Sequence, residues 1–452
     1  MIKSPKPLES VSVLFIYKEQ VFAVQRQPYL FAFPGYQAFP GGKIDKDESS
    51  VQFKTKILSD HDPRRIRAVC REVIEELGYD IEKGILQNEV LSISELAEAV
   101  APDFAQFRFR TWFFRIELKK KISFKADSGE FASSFWSTPK NMLDDFRNGK
   151  SLMVPPTRWV LKGLFEDQNA TKLGDLSERY DEDNRVPSLE MLDGITLLPL
   201  RSVTLPPASR TNAILLGDED KVKLIIDPSP NSEEEYSRLL TTIKDRVPDA
   251  IFLTHHHPDH HQFSNQLARE LKVPVILSHD TLKRLNAKFG NQYFENIELQ
   301  TVSEKHQVTF WHGSAVRVYE IPGHDSGHLG LAPDSMAWFI VGDLIQGIGT
   351  VVIPSPEGDM ATYFKTLKKV ISLNPEVIIP SHGIPMRTTH RLEETLKHRF
   401  KRESEILKLH KLGKSRQEIL MELYAETDPR LHPAAMLNIE SHLEKLRKEN
   451  IL

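Results

Sequence analysis

Apolar and polar residues alternate in short runs through the first part of the chain. These runs have the length and composition of strands and lie at residues 11–17, 21–25 and 107–118. A loop rich in glycine and proline is predicted at 34–42. A helix is predicted over 63–77, because Asp62 is a favourable N-cap and Gly78 a favourable stop. The pattern therefore indicates an α/β domain.

The later part of the chain contains a longer series of apolar runs, separated by helix-like or loop segments. The runs lie at residues 194–200, 212–216, 222–227, 249–254, 274–278, 316–321, 337–342 and 376–380. This alternation is typical of a layered α/β domain. From Arg391 onward the apolar spacing becomes helical, as at Ile406, Leu409 and Leu412. A small helical appendage is therefore predicted at the end of the chain.

The two apolar series are separated by residues 166–193, which contain nine acidic and three basic residues and almost no apolar periodicity. We interpret this segment as an acidic linker. A chain of 452 residues suggests about two to four domains at ~100–200 residues each. The prediction is an α/β multidomain protein with domains at 8–165, 194–390 and 391–452.

Composition narrows the class of protein. With 40% hydrophobic and 27% charged residues, the chain is typical of globular proteins, and no apolar run approaches the ~18 residues that span a bilayer. We therefore expect no membrane partner. The single cysteine, Cys70, excludes an intrachain disulfide and suggests a reducing compartment, so a cytoplasmic location is expected. The oligomeric state stays open.

Histidines and aspartates cluster directly after one of the apolar strands. The sequence there is His255, His256, His257, Pro258, Asp259, His260 and His261. In an extended segment His255 and His257 share a face, because side chains alternate with a period of two. Three later apolar runs each end in a potential ligand beside glycine or proline, namely His324, Asp343 and His382. Imidazoles and carboxylates gathered at strand ends predict a metal site.

The order of these motifs, THxHxDH, PGH, GD and SHG, resembles that of the metallo-β-lactamase superfamily over about residues 195–390. The resemblance implies a central αββα sandwich and a hydrolase with two zinc ions, which would activate water and polarise the substrate. It assigns His255, His257 and His324 to one ion, Asp259, His260 and His382 to the other, and Asp343 to both. It also gives Asp259 a catalytic role and Asp227 a supporting one. For His256, His261 and His328 it gives no role, and we expect them to support the site or lie on the surface.

Several segments resemble the β-lactamase-like endoribonuclease branch of this superfamily. They are residues 342–347, 363–367, 398–407 and the tail, which would be a winged-helix-like appendage. This resemblance implies single-stranded RNA as the substrate. Residues 387–416, with ten basic and four acidic residues, would bind its phosphates, or would form only a solvated helix face. A thioester of coenzyme A or glutathione is the alternative substrate. Where the family often has Gly-Gly after its Asp-His pair, this chain has His261 and Gln262. The resemblance therefore does not predict the shape of the pocket rim.

The predicted helix over 63–77 carries a second candidate site. Glu72, Glu75 and Glu76 are spaced at i, i+3 and i+4, so they project from neighbouring positions of one helix face. Clustered carboxylates repel one another unless a cation holds them, and Mg²⁺ or Mn²⁺ suits oxygen ligands. An acidic helix face that is only solvated is the alternative. The glycine pair Gly41 and Gly42 upstream favours the metal site.

This region, Gly42 and Glu48 followed by residues 71–78, resembles the Nudix box, and 8–165 resembles the coenzyme A diphosphatase-like branch of that family. The resemblance implies an N-terminal Nudix α/β/α sandwich that hydrolyses a small-molecule pyrophosphate, either nucleoside-diphosphate-linked or coenzyme A-like. It assigns Mg²⁺ or Mn²⁺ to Glu72, Glu75 and Glu76, catalytic or orienting roles to Glu48, Arg71 and Glu76, and an additional carboxylate role to Glu130. The spacer 49–70 exceeds the usual length by 15 residues. A non-catalytic nucleotide- or RNA-binding module is therefore the alternative.

Overall fold

The computed structural model describes residues 6–46, 48 and 53–452, so Asp47 of the Nudix-like motif and residues 49–52 of its spacer lie outside the described part. The chain forms two compact units. The first comprises Met1–Tyr180 and Glu190–Asp193, and the second Asp181–Leu189 and Gly194–Leu452. Within the described part, no helix is both long enough and apolar enough to cross a membrane.

A mixed β-sheet forms the centre of the first unit. Its strands are β1 (Leu8–Tyr17), β2 (Gln20–Arg26), β3 (Gln37–Ala38), β4 (Val90–Val100), β5 (Phe109–Leu118), β6 (Phe131–Ser137) and β7 (Gly174–Asp175). The strands follow the order β3-β2-β1-β5-β4-β7, with β6 paired to β2. β1 is parallel to β5, whereas β4 and β5 are antiparallel. The three predicted strands are therefore present, and the sequence analysis missed β3, β4, β6 and β7.

Helices cover both faces of this sheet. They are α1 (Lys56–Ser59), α2 (Pro63–Leu77), α3 (Ile81–Leu86), α4 (Pro139–Arg147) and α5 (Pro155–Glu166). α2 packs on one face, and α4 and α5 pack on the other. The predicted bounds of α2 are confirmed: the Asp62 side chain accepts hydrogen bonds from two backbone N–H groups, and Gly78 ends the helix at a φ of 63°. The local capping chemistry thus fixes the helix that carries the glutamates.

Two sheets form the centre of the second unit. Its strands are β9 (Ile195–Arg201), β10 (Arg210–Leu216), β11 (Leu224–Ile226), β12 (Ala250–Phe252), β13 (Val275–Leu277), β14 (Leu299–Thr301), β15 (Gln307–Trp311), β16 (Ser314–Glu320), β17 (Leu329–Pro333), β18 (Phe339–Gly342), β19 (Val377–Pro380) and β20 (Met386–Arg387); β8 (Leu189–Leu192) lies where the units divide. β9 to β14 follow one another in the first sheet, and β15 to β20 do so in the second.

Helices pack outside both sheets. They are α6 (Glu233–Ile243), α8 (Ser264–Leu271), α9 (His279–Phe289) and α10 (Met360–Leu373). α7 (Pro258–His261) is a single helical turn that follows β12. α6, α8 and α9 pack on the first sheet and α10 on the second. The opposite sheet faces are also buried, as at Phe252 and Leu331, and the Asn212 N–H donates to the Ser381 carbonyl across the sheets at 2.8 Å. The arrangement is the mixed α/β sandwich expected from the sequence.

The predicted linker 166–193 differs from the expectation, because much of it is packed. Leu173 and Leu176 lie against the core of the first unit, and β7 extends its sheet. Val186 belongs to the core of the second unit. Isolated apolar residues at irregular spacing anchor this segment, and a search for periodicity does not detect them.

The tail after Arg391 is helical, as predicted. It contains α11 (His390–Lys411), α12 (Arg416–Leu423), α13 (His432–Lys448) and a 3₁₀ turn at Pro429–Leu431. The three helices share an apolar core that includes Ile406, Ile419 and Ile439. A buried ion pair also joins α11 to α13, because Glu403 lies 2.8 Å from the ammonium of Lys445 and 3.1 Å from Nδ1 of His442.

Glu403→Gln is expected to lower the free energy of unfolding of the tail by about 1–3 kcal/mol, since Lys445 loses a buried partner but keeps Glu449. Burial alone would raise the pKa of Glu403, but the hydrogen bonds from His442 and Lys445 lower it, so the carboxylate is charged near neutral pH. Native-state hydrogen exchange of α13 measures the effect. Arg416→Gln, which removes an exposed ion pair, is the control and should cost less than about 1 kcal/mol. Equal effects of the two substitutions would contradict the prediction.

Candidate metal centre

The predicted cluster lies where β12 ends and the chain enters α7. Pro258 is the first residue of α7, a position that suits proline because its backbone has no N–H to satisfy. Asp259 and His260 therefore project from a helical turn, whereas His255 and His257 project from the irregular segment before it, which bends at His256 and His257. The change of backbone at Pro258 lets one short peptide present two separate groups of ligands.

Three histidine nitrogens face one another in the first group. Nδ1 of His257 lies 3.0 Å from Nε2 of His255 and 2.9 Å from Nε2 of His324. Zn–N bonds of about 2.0–2.1 Å in a tetrahedral site place neighbouring nitrogens about 3.3 Å apart. The spacing is close to that value, and these three side chains could hold a metal ion.

The second group consists of Asp259, His260 and His382. Oδ2 of Asp259 lies 3.7 Å from Nε2 of His260 and 3.5 Å from Nε2 of His382. Asp343 lies between the groups: its carboxylate is 3.6 Å from Nε2 of His260, 3.4 Å from Nε2 of His382 and 3.8 Å from Nε2 of His324. The structure thus brings together all seven residues that the sequence analysis selected here.

Hydrogen bonds behind the rings orient them. Through Nδ1, His255 contacts the Thr254 hydroxyl at 3.0 Å, His260 the Asp227 carboxylate at 2.8 Å, His324 the Val352 carbonyl at 2.7 Å and His382 the Arg210 carbonyl at 2.9 Å. A carbonyl only accepts hydrogen bonds, so Nδ1 carries the proton in His324 and His382. Their Nε2 lone pairs then point into the cluster, as metal ligation requires.

Polar atoms without partners mark the same spot. Nε2 of His260, Nε2 of His382 and Oδ1 of Asp343 are buried and have no hydrogen-bond partner among the described residues. Each such atom costs about 1–3 kcal/mol when nothing satisfies it. Burial alone would lower the pKa of His260, but Asp259, Asp343 and Asp227 raise it well above its usual value. A concentration of negative charge and free lone pairs at one place fits bound cations.

Sequence reasoning missed two acidic residues beside the cluster. Oε2 of Glu357 lies 3.3 Å from Nε2 of His257, which leaves Nδ1 of that ring free to face the first group. Oδ2 of Asp325 lies 2.5 Å from Nδ1 of His256. Asp325 directly follows His324 in the chain, but no recognised spacing identifies it or Glu357. Their position beside the rings appears only in the fold.

The histidines without an assigned role are all buried, so none of them lies on the surface. Nε2 of His328 accepts the backbone N–H of Asp343 at 3.3 Å, and Nδ1 of His261 lies 2.7 Å from the Tyr293 hydroxyl. The ring of His328 also leaves no space for a side chain at Gly342, where an added Cβ would lie 2.2 Å from Nε2. These rings support the loop that carries Asp343 and the segment after α7.

The glutamates of α2 lie beside the Gly41–Gly42 loop. The backbone N–H of Gly41 donates to Oε2 of Glu76 at 2.8 Å, and a Cβ on Gly42 would lie 2.3 Å from Oε1 of Glu72. The glycines therefore permit the close approach of helix and loop. Burial raises the pKa of Glu76 to about 8, and it also raises the pKa of Glu72. Both shifts indicate carboxylates without a full set of positive partners.

Arg71 connects the remaining residues of this candidate site. Its guanidinium contacts Glu48 at 2.8 Å, Glu72 at 2.8 Å and Glu75 at 3.0 Å. Glu75 is exposed and turns toward Arg71, and Glu130 lies 4.0 Å from Arg26. Among the described residues, sets of three or more possible ligand atoms within 4.8 Å of one another occur in the second unit and do not include these glutamates. The three carboxylates of α2 are thus not gathered at one point.

Comparison with known proteins identifies two parts of the chain. The family described as Metallo-beta-lactamase superfamily matches residues 206–382, and Beta-lactamase associated winged helix domain matches residues 415–451. The Beta-lactamase-like protein 2 homolog of Drosophila melanogaster is 29% identical over 259 residues, which cover 54% of this chain and 84% of that protein. The Hydroxyacylglutathione hydrolase of Hamiltonella defensa subsp. Acyrthosiphon pisum is 33% identical over 180 residues, 38% of this chain and 62% of that protein.

A solved structure of a Beta-lactamase domain protein from Burkholderia ambifaria aligns with a TM-score of 0.48 and 20% identity, and it covers 60% of this chain and 91% of that one. The two family matches lie in the second unit and include the His/Asp cluster and the helical tail. The second unit therefore contains a metallo-β-lactamase superfamily domain followed by the winged helix domain associated with it, and the chain is a metal-binding hydrolase of that fold.

Proposed function

We propose that the chain is a hydrolase with two catalytic centres, a dinuclear zinc centre in the second unit and a Nudix-type centre in the first. The observation that carries the zinc centre is the pair of three-ligand groups with Asp343 between them. One zinc would be held by His255, His257 and His324, and the other by Asp259, His260 and His382. Bound zinc ions would lower the pKa of a water molecule and polarise the bond to be cleaved.

The side chains of this centre would have distinct roles in the reaction. Asp259 is 15% exposed at its side chain, more than the buried rings of His260 and His382, so it is the second-group ligand that a substrate reaches most easily. We propose that its second oxygen, Oδ1, accepts a proton from the attacking water. Asp343 would hold the two ligand groups at a fixed separation through its contacts with His260, His382 and His324.

Single-stranded RNA is the proposed substrate of the zinc centre. Lys397, Lys401 and Lys408 are exposed at positions that share one side of α11. Lys401 also lies 4.0 Å from Glu405, but its side chain is 75% exposed. Phe400, 41% exposed, lies beside them, with the ammonium of Lys368 of α10 at 5.4 Å from its ring. We call these five residues the lysine face. Cations for phosphates and an aromatic ring for stacking are the features that bind single strands.

A thioester is the second candidate substrate. Relatives named Hydroxyacylglutathione hydrolase are 31% and 33% identical over 169 and 180 residues of this chain. Since one fold supports several chemistries, the ligand groups alone do not choose between a phosphodiester and a thioester. The lysine face favours the phosphodiester, because a long anionic polymer would use its charges and a small thioester would not.

For the first unit we propose hydrolysis of a pyrophosphate, either nucleoside-diphosphate-linked or coenzyme A-like. Glu72 and Glu76 would hold Mg²⁺ or Mn²⁺ beside the Gly41–Gly42 loop, where both carboxylates are buried. Arg71 would keep Glu48 and Glu75 in place through its ion pairs. A bound divalent ion would neutralise charge on the phosphates. The alternative is a non-catalytic module that binds a nucleotide or RNA.

The proposal on RNA is tested with substrates and charge variants together. Wild-type protein is assayed with single-stranded RNA, acyl thioesters and pyrophosphates in the presence of Zn²⁺ and Mg²⁺. Lys397→Gln combined with Lys401→Gln should weaken RNA binding. The dependence of log affinity on log salt should also become shallower, with the magnitude of its slope smaller by about 1.4, at ~0.7 per lost phosphate contact. The control combines Lys283→Gln with Lys288→Gln, which removes the same charge from exposed positions on α9. It should change neither the affinity for RNA nor its salt dependence. If the wild type cleaves thioesters and leaves RNA uncut, the thioester is the substrate of the zinc centre.

A further inference from the structure

A chain of buried contacts connects the winged helix tail to the candidate metal ligand His324. Nδ1 of His324 donates to the Val352 carbonyl at 2.7 Å. Val352 lies in the loop that follows Asp343, and its two neighbours, Val351 and Ile353, are buried. The direction of the Val352 carbonyl depends on how these neighbours are held, because it belongs to the peptide that joins Val352 to Ile353.

Two side chains of the tail hold the neighbours of Val352. Asn438 of α13 donates from Nδ2 to the Val351 carbonyl at 3.3 Å and accepts the Ile353 N–H on Oδ1 at 2.9 Å. Arg399 of α11 donates from its guanidinium to the same Val351 carbonyl. Both side chains are buried, Arg399 at 2% and Asn438 at 6% exposure. We call this pair the loop clamp.

We propose that the loop clamp positions His324 for metal binding. With the Val351 carbonyl and the Ile353 N–H fixed, the peptide between Val352 and Ile353 has one orientation, and its carbonyl fixes the Nδ1–H tautomer and the direction of His324. The Nε2 lone pair then faces Nδ1 of His257. Partners behind a metal-ligating histidine typically contribute 10–100-fold to metal affinity. Arg399 and Asn438 are positioning residues, since they act through Val352 and do not reach the ligand atoms.

This role gives the winged helix tail a function at the metal centre that is separate from binding any substrate. The clamp reaches the loop from two different helices, and one of its members, Asn438, both donates and accepts. A contact that served only to attach the tail would not need to hold both neighbours of the residue that orients His324. The inference rests on the proposed ligand role of His324, and it does not depend on the proposed substrate.

The test measures metal retention in the 452-residue chain. Asn438→Ala is loaded with zinc and challenged with a chromogenic chelator, and its affinity for zinc at the His255, His257 and His324 group is expected to fall by about 10–100-fold. The absorption spectrum of the Co²⁺-loaded variant should also change, because the geometry around His324 changes. Glu403→Gln is the matched control: it weakens the tail without touching the loop, and its zinc affinity should stay within about twofold of wild type.

Arg399 provides a second, graded test in case Asn438→Ala loosens the whole tail. Lysine at position 399 keeps a donor for the Val351 carbonyl, so Arg399→Lys should retain zinc better than Arg399→Met. The inference would be overturned if Asn438→Ala bound zinc as tightly as the wild type and gave the same Co²⁺ spectrum. It would also be overturned if Glu403→Gln lost as much zinc affinity as Asn438→Ala. A wild-type protein that binds fewer than two zinc ions would instead contradict the proposed metal centre, so the two failures are distinguishable.

Discussion

Asp343→Asn is expected to reduce kcat of the zinc centre by about 10³-fold or more and to lower the number of zinc ions retained. The carboxylate lies within 3.4–3.8 Å of Nε2 of His260, His382 and His324, and Oδ1 has no hydrogen-bond partner in the described part of the chain. Asparagine keeps the shape but removes the charge between two cations, and each such ion supplies several kcal/mol of charge stabilisation. His260 and His382 lower the pKa of Asp343 despite its burial, so the wild-type group is charged across the neutral range.

The measurement combines zinc analysis with the hydrolysis rate of whichever substrate the wild type cleaves at this centre. Asp334→Asn is the matched control, because Asp334 is exposed and pairs with Arg317 on β16. It should leave both quantities unchanged. Pyrophosphate hydrolysis by the first unit should also be unaffected in Asp343→Asn. Full zinc content together with an unchanged rate would show that Asp343 does not join the two ligand groups.

The sequence predicted which side chains come together, because most of them follow the end of an apolar strand; their role as metal ligands stays a prediction. The edge of a sheet brings such ends together, so His324, Asp343 and His382 converge with the residues after β12 although the chain separates them widely. His255 and His257 were also expected side by side on an extended segment. Their ring nitrogens are 3.0 Å apart, but the segment bends at His256 and His257 and is not a regular strand. The convergence therefore follows from the sheet geometry and not from strand alternation at these histidines.

The residues that orient the ligands could not be predicted in this way. Glu357 and His257 are 100 positions apart, and Asn438 lies 85 positions after Ile353 in a different domain. A local sequence pattern does not predict these two contacts, because each depends on how a loop or the tail packs against distant residues. At Glu75 the helical spacing and the observed contacts differ. It shares a helix face with Glu72 and Glu76, but the nearby guanidinium of Arg71 draws it away.

Glu76→Gln is expected to reduce Mg²⁺-dependent pyrophosphate hydrolysis by about 10²–10³-fold, because the proposed ligand loses its charge in a site that binds a divalent cation. The Gly41 N–H can still donate to the amide oxygen, so the loop should keep its position. The substitution should also change how the stability of the first unit depends on pH. Since burial raises the folded pKa of Glu76 to about 8, above its ordinary value of 4.5, the wild type loses stability as pH rises through this window.

Without divalent cations, the first unit of Glu76→Gln should therefore be more stable than that of wild type at pH 8–9, and the two should converge below pH 4. Addition of Mg²⁺ should stabilise the wild type and not the variant. Thermal unfolding with chelator and with Mg²⁺ measures both effects. Glu75→Gln is the comparison on the same helix: its side chain is exposed and paired to Arg71, so it should lower the rate by less than about tenfold and leave the pH dependence unchanged.

A wild type that binds Mg²⁺ and a nucleotide but hydrolyses no pyrophosphate would instead favour the non-catalytic module, because the same carboxylates can hold a ligand without turning it over.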